Sequence, residues 1–187
     1  MPHPAQVTHE QILHTARRLF EAQGYEQVTL ARLAEALGIK APSLYKHFSD
    51  KAALLKAVNT LTMSELTHAM QKATLEFSTP YARAEAMASA YWDYALAHPA
   101  AYSLAFNNQL GSAPDPAVAE ALALPLQAIF AEGVGAENAL TALRGAWALL
   151  HGFVMLYLTE RFQRGGDVTQ AYQSALRAYL RGWGIDN

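Results

Sequence analysis

Apolar residues recur at three- and four-residue intervals through almost the whole chain, as in amphipathic helices, and no stretch alternates apolar and polar as a half-buried strand would. The first helix starts at Thr8, where Thr8 and Gln11 have the spacing of a capping box, and its inward stripe is Ile12, Ala16, Leu19 and Phe20. Gln23-Gly24-Tyr25 closes it. Thr29 caps a short second helix with Leu30, Leu33, Ala34 and Leu37 inward, and Gly38 breaks the chain at once. A third short helix is predicted from about residue 40 to 48, with Pro42 tolerated in its first turn. Ser49 or Asp50 caps a fourth, longer helix reaching the mid-70s.

The pattern continues to the end. After Thr79-Pro80 a helix carrying Met87, Tyr91, Trp92, Tyr94 and Ala95 runs to His98-Pro99, a stop and restart, and Tyr102, Leu104 and Phe106 follow. Gly111 to Pro116 is the clearest loop. Beyond it come a helix from about 117 to 132, with a kink expected at Pro125, and a turn at Gly133-Val134-Gly135. A long helix from about 137 to 162, a Gly165-Gly166 break and a last helix capped by Asp167 and ending near Arg181 complete the chain. The fold class is all-α, with about nine helices and no internal repeat.

Two short helices joined by a turn at Gly38, with a longer helix before them, are the minimum description of a helix-turn-helix. That motif needs its second short helix to stand out and lie in the major groove of DNA. Here the outward residues Lys40, Ser43, Tyr45, Lys46 and His47 can all donate hydrogen bonds, Ile39, Leu44 and Phe48 face inward, and no carboxylate appears before Asp50. Residues 8 to 55 resemble, without a gap, the DNA-binding domain of the TetR (tetracycline repressor-like) family. The matching positions are Ile12, Ala16, Leu19, Phe20, Gly24-Tyr25, Thr29, Leu33-Ala34, Leu37-Gly38-Ile39, Ser43-Leu44-Tyr45, His47-Phe48, Lys51 and Leu54-Leu55. The resemblance implies a homodimer whose paired recognition helices bind a palindromic double-stranded operator. It places Thr29, Tyr45, His47 and Lys51 at phosphates and Ala41, Pro42, Ser43 and Lys46 at bases, and Lys40 at the helix start joins the base-reading set. Leu30 and Ala31 depart from this pattern, standing where some relatives carry polar, base-reaching residues.

A second constellation is Leu143-Arg144-Gly145-Ala146-Trp147 followed by His151-Gly152-Phe153. Trp147 and His151 are four apart and share a helix face. With Ala97-His98-Pro99 and Tyr102, this stretch resembles, over roughly residues 80 to 182, the TetR-type C-terminal domain named for its Trp–His–Gly signature. The resemblance implies an effector-binding body whose final two helices form the dimer interface. The expected organisation is a three-helix DNA-binding domain at 1–55 and a helical effector-binding and dimerisation domain at 56–187. Met87, Tyr91, Tyr94, Tyr102, Trp147 and His151 are the candidate lining of an apolar pocket with a few polar handles, although the same residues fit a plain core. Leu149, Phe153, Leu156, Tyr157, Tyr172, Leu176 and Tyr179 form a stripe that periodicity assigns equally to intrachain core or subunit interface, and the resemblance selects the interface.

Composition narrows the classes. Hydrophobic residues are 52% of the 187 and charged residues 16%, which supplies a core and argues against disorder. Cysteine is absent, so no disulfide or thiolate metal site is available. Met1-Pro2-His3-Pro4 has no basic and apolar leader, so the cytoplasm is expected. Trp147 to Leu158, the most apolar stretch, is too short to span a bilayer and contains His151, so no membrane is expected. Residues 1–56 hold seven Lys/Arg against five acids, while 57–187 hold seven against eleven: a mildly basic head on an acidic body.

Signatures of catalysis are missing. There is no His-Glu-x-x-His pair, no Gly-x-Ser-x-Gly elbow and no phosphate-binding loop, and the seven histidines show no metal spacing. No cofactor is implied. The expectation is a ligand-responsive regulator, a repressor by default, with DNA, a small-molecule effector and a second copy of itself as partners. The rival is a binding module whose helix-turn-helix has lost operator specificity.

Overall fold

The computed structural model describes residues 7–106 and 116–186, and among these residues it has nine helices and no strand. They are α1 (His9–Gln23), α2 (Leu30–Ala36), α3 (Ala41–Leu44), α4 (Lys51–Thr74), α5 (Pro80–Ala97), α6 (Pro99–Ala105), α7 (Pro116–Val134), α8 (Ala136–Leu158) and α9 (Val168–Gly182). Local side chains start several of them. Thr8 Oγ1 accepts from the Gln11 amide at 3.1 Å while Gln11 Oε1 accepts from the Thr8 amide at 2.8 Å, a complete capping box. Thr29 Oγ1 accepts from the Arg32 amide at 3.2 Å, Asp50 Oδ1 from Ala53 at 2.8 Å and Asp167 Oδ1 from Gln170 at 3.0 Å. Each cap satisfies an amide that no earlier turn can reach, worth about 1 kcal/mol.

Three helix ends differ from the sequence expectation. The third helix stops at Leu44, and residues 45–47 form a turn. α7 continues through Gly133 and Val134, and only Gly135, at φ +81°, leaves it. Gly133 is a packing glycine: a Cβ there would lie 2.9 Å from Cγ1 of the buried Ile185. α8 ends at Leu158, not near 162, because Glu160 adopts φ +54°. The Glu160 amide then donates to the Tyr157 carbonyl at 3.0 Å and the Arg161 amide to that of Leu156 at 2.8 Å, the paired bonds of a Schellman stop. The expected loop falls on residues 111–115, outside the described residues, and Pro116 opens α7. Pro125 sits exposed inside α7.

By packing, the chain forms two units that interleave in sequence. One comprises the described parts of residues 1–63 and 98–115, the other those of 64–97 and 116–187. In the first, Ile12, Ala16, Phe20, Leu33, Leu44 and Phe48 form the core, and Leu104 of α6 belongs to the same cluster.

In the second unit α5 packs against α7, α8 and α9, and α8 packs in turn against α7 and α9. Two tyrosine hydroxyls of α9 tie it to its neighbours. Tyr172 donates to the Ala88 carbonyl and Tyr179 to the Ala142 carbonyl, both at 2.7 Å. A Cβ on Gly145 would fall on the Tyr179 hydroxyl and lie 2.8 Å from its Cζ.

α8 is longer than the apolar stretch read from the sequence. Its 23 residues, with a mean hydropathy of 1.4 over the most apolar window, suffice by length and composition to cross a membrane. One face is core, through Ala139, Ala142, Leu143, Ala146, Leu150 and Val154. Leu140 and Leu156 on the same helix are exposed.

Candidate nucleic-acid interface and effector region

The α2–α3 geometry is built by one glycine and two inward apolar side chains. Gly38 takes φ +66°, where its amide donates to the Glu35 carbonyl and the Ile39 amide to that of Ala34, both at 3.0 Å. This Schellman turn ends α2 and redirects the chain into α3 within four residues, and a Cβ at Gly38 would meet nothing, so the requirement is conformational. Leu44 and Phe48 are then buried beneath the turn, at 0 and 4% exposure. Lys40, Pro42, Ser43, Tyr45, Lys46 and His47 are left exposed, and Ala41 is half-buried. Tyr45, at 55%, is among the large side chains most exposed to water.

The flanking donors are held by neighbouring backbone. Thr29 is exposed, and its hydroxyl accepts the Arg32 amide, so its own hydrogen remains for an outside acceptor. Lys51 Nζ donates to the Glu26 carbonyl at 2.9 Å, which fixes the ammonium beside the α1–α2 connection and leaves two of its hydrogens. The His9 ring lies 5.0 Å from that of Phe48 and 6.3 Å from that of His47. All nine expected DNA-contacting residues thus lie within one continuous stretch of the first unit, from the start of α2 to the start of α4, and no carboxylate occurs between Lys40 and Ser49. Such a surface suits phosphate oxygens and base acceptors.

The six expected pocket residues fall in both packing units. Tyr102 belongs to the first unit, where its ring packs 4.8 Å from Phe106, and the other five lie in the second. Tyr91 and Trp147 meet edge to face at 5.7 Å, and the Tyr91 hydroxyl is 3.5 Å from His151 Nδ1. Tyr94 donates to Glu65 at 2.9 Å. Burial holds the His151 pKa below its ordinary value, so the imidazole is neutral at pH 7. Met87, Tyr91 and Tyr102 are buried, at 1, 0 and 0% exposure, while Tyr94, Trp147 and His151 are half-buried. A groove of about 230 Å³ lies between α5 and α9, lined by Phe77, Ala82, Glu85, Ala86, Leu176 and Arg177 among others and by none of those six.

The expected interface stripe also divides. Leu156 and Tyr157 are exposed at 44 and 41%, and Leu149, Phe153 and Tyr179 are half-buried. Tyr172 and Leu176, at 1 and 2% exposure, pack within their own chain against α5. The period of a stripe marks burial but not what buries it.

Residues 12–58 match the family described as bacterial regulatory proteins, tetR family, and residues 84–179 match the tetracyclin repressor-like C-terminal domain. The chain belongs to the TetR family. Its similarity extends over full-length relatives. It is 26% identical to the HTH-type transcriptional regulator YobS of Bacillus subtilis strain 168, across 97% of this chain and 95% of that one. It is 32% identical to the HTH-type transcriptional regulator Rv0681 of Mycobacterium tuberculosis, across 83% and 72%. A solved structure from Rhodococcus sp. RHA1, of a protein with unknown function, superposes with a TM-score of 0.81 at 27% identity, across 97% of this chain and 96% of that one. The chain is therefore a TetR-family helix-turn-helix transcriptional regulator with an all-helical fold.

Within this TetR-family chain, sequence reasoning overlooked two carboxylates. Glu65 on α4 receives the Tyr94 hydroxyl, and Glu21 on α1 receives the amides of Ala100 and Ala101. Glu21 lies 79 and 80 positions from those amides, and no local signal in the sequence pairs them.

Proposed function

We propose that the protein is a cytoplasmic, ligand-responsive repressor that binds a palindromic operator as a homodimer and acts by binding rather than by catalysis. Residues 1–55 carry the DNA contacts, and 56–187 carry effector binding and dimerisation. The observation behind this is the row of exposed donors around one short helix: Lys40, Ser43, Tyr45, Lys46 and His47 stand out because Leu44 and Phe48 are buried. Lys40, Ala41, Pro42, Ser43 and Lys46 face bases, and Thr29, Tyr45, His47 and Lys51 grip phosphate. In the dimer the two recognition helices stand about one DNA turn apart, ~34–36 Å.

Leu149, Phe153, Leu156, Tyr157 and Tyr179 meet a second copy, which covers the apolar face that α8 leaves open. The effector enters beside Tyr94, Trp147 and His151, and Tyr91 and Met87 must yield to admit it. A ligand that favours the opened form over the DNA-binding form releases the operator by that differential affinity alone. The test is fluorescence anisotropy with the DNA flanking the gene, at about 150 mM salt with random competitor. Binding that survives the competitor is expected, and binding that disappears with it would refute operator reading at that site.

A further inference from the structure

We infer that Glu21 is a positioning residue that clasps α6 to the DNA-binding head, so that α6 and α1 move as one body. The amide pattern points to it. α6 begins with Pro99, which has no N–H, so Ala100 and Ala101 carry the two amides that an N-cap side chain ordinarily accepts. His98 before them gives no side-chain cap. Glu21 supplies it from α1, with Oε2 accepting the Ala100 amide at 2.9 Å and Oε1 that of Ala101 at 3.0 Å. Both are charge-assisted bonds in a part-buried setting, and the carboxylate also opposes the positive end of the helix.

Two further contacts hold the same helix. Leu104 is fully buried in the cluster of Ile12, Phe20, Leu33 and Phe48, and Asn59 on α4 donates its Nδ2 to the Leu104 carbonyl at 3.4 Å. α6 is thus held at its first turn by the carboxylate and at its last by core packing. The chain enters this helix directly from α5, which runs to Ala97. The orientation of α1, and through it of the turn that presents Lys40 to His47, then depends on α6. This consequence rests on the proposed regulatory function, whereas the clasp itself does not.

The test uses full-length Glu21→Ala, with Glu21→Gln as the variant that keeps one acceptor oxygen. Hydrogen exchange over 99–105 reads the clasp, and affinity for a duplex of the gene's flanking DNA reads its effect. In Glu21→Ala the α6 amides are expected to exchange at least about tenfold faster while α9 is unchanged, with Glu21→Gln between the two. DNA affinity is expected to fall about tenfold, the value for a head that keeps its competent orientation a tenth of the time. Unchanged α6 exchange in Glu21→Ala would overturn the clasp. Faster α6 exchange with wild-type DNA affinity would overturn the positioning role. Wild-type protein that ignores the duplex would count against the regulatory function, and the exchange measurement would still judge the clasp.

Discussion

Gly145 in α8 tests whether the α8–α9 contact is as tight as the structure has it. Replacing a helical glycine by alanine ordinarily stabilises by about 1 kcal/mol, through backbone entropy. At this position the new methyl would fall on the Tyr179 hydroxyl and 2.8 Å from Cζ, so the ring must move. Moving it breaks the 2.7 Å bond to the Ala142 carbonyl, about 1 kcal/mol, and strains a packed contact by about 1–3 kcal/mol. We expect Gly145→Ala to destabilise by about 1–3 kcal/mol once the helix-propensity gain is subtracted. In a Tyr179→Leu background the obstruction is gone, and the same substitution should be neutral or stabilise by up to about 1 kcal/mol. Urea unfolding of the four proteins at one fixed concentration gives the cycle, the concentration being held because dimerisation would contribute to stability. Equal costs in both backgrounds would refute the contact as the reason for the glycine.

Three further outcomes are expected. His151 has a folded-state pKa below its ordinary value, so the unfolded chain binds its proton first; stability should fall as pH drops from 7 through 6.5 toward the folded pKa, and urea midpoints of His151→Gln should fall less over that range. Lys46→Ala should cost ~1–3 kcal/mol at one base pair per half-site, whereas Lys51→Ala should weaken all duplexes alike and reduce the salt slope by about 1; uniform weakening by Lys46→Ala in a panel of mutated operators would remove it from base reading. Leu156→Glu, at a position 44% exposed, should shift sedimentation toward monomer with little change in far-UV circular dichroism, and an unaltered sedimentation profile would exclude Leu156 from the interface.

The helix starts were legible because their caps are local: Thr8 with Gln11, Thr29, Asp50 and Asp167 each bond within three residues of themselves. Helix ends were read through glycine, and there the reading failed where glycine served another purpose. Gly133 makes room for Ile185 inside α7, while the true stop of α8 falls on Glu160, a residue whose positive φ nothing in its type announces. The donor row of the head was legible because the positions of Leu44 and Phe48 determine which neighbours face out. Pocket and interface were less so. Tyr91 and Tyr102 follow the pattern of pocket aromatics and are fully buried, and Tyr172 follows the interface stripe and is buried against α5. Apolar period reports that a side chain is covered, and the partner that covers it is a tertiary fact.

The first packing unit takes α6 from beyond α5, so the head is not a contiguous piece of chain. A chimaera spliced after residue 55 or 63 would inherit a foreign α6 and set it against Phe20, Glu21 and Asn59. Glu21 asks only for two amides, which any helix start could offer, but the hole filled by Leu104 asks for a particular side chain. Recombination between relatives would then succeed most readily when the head travels with its α6, as two segments exchanged together. An engineer who grafts another helical body onto this head inherits that constraint.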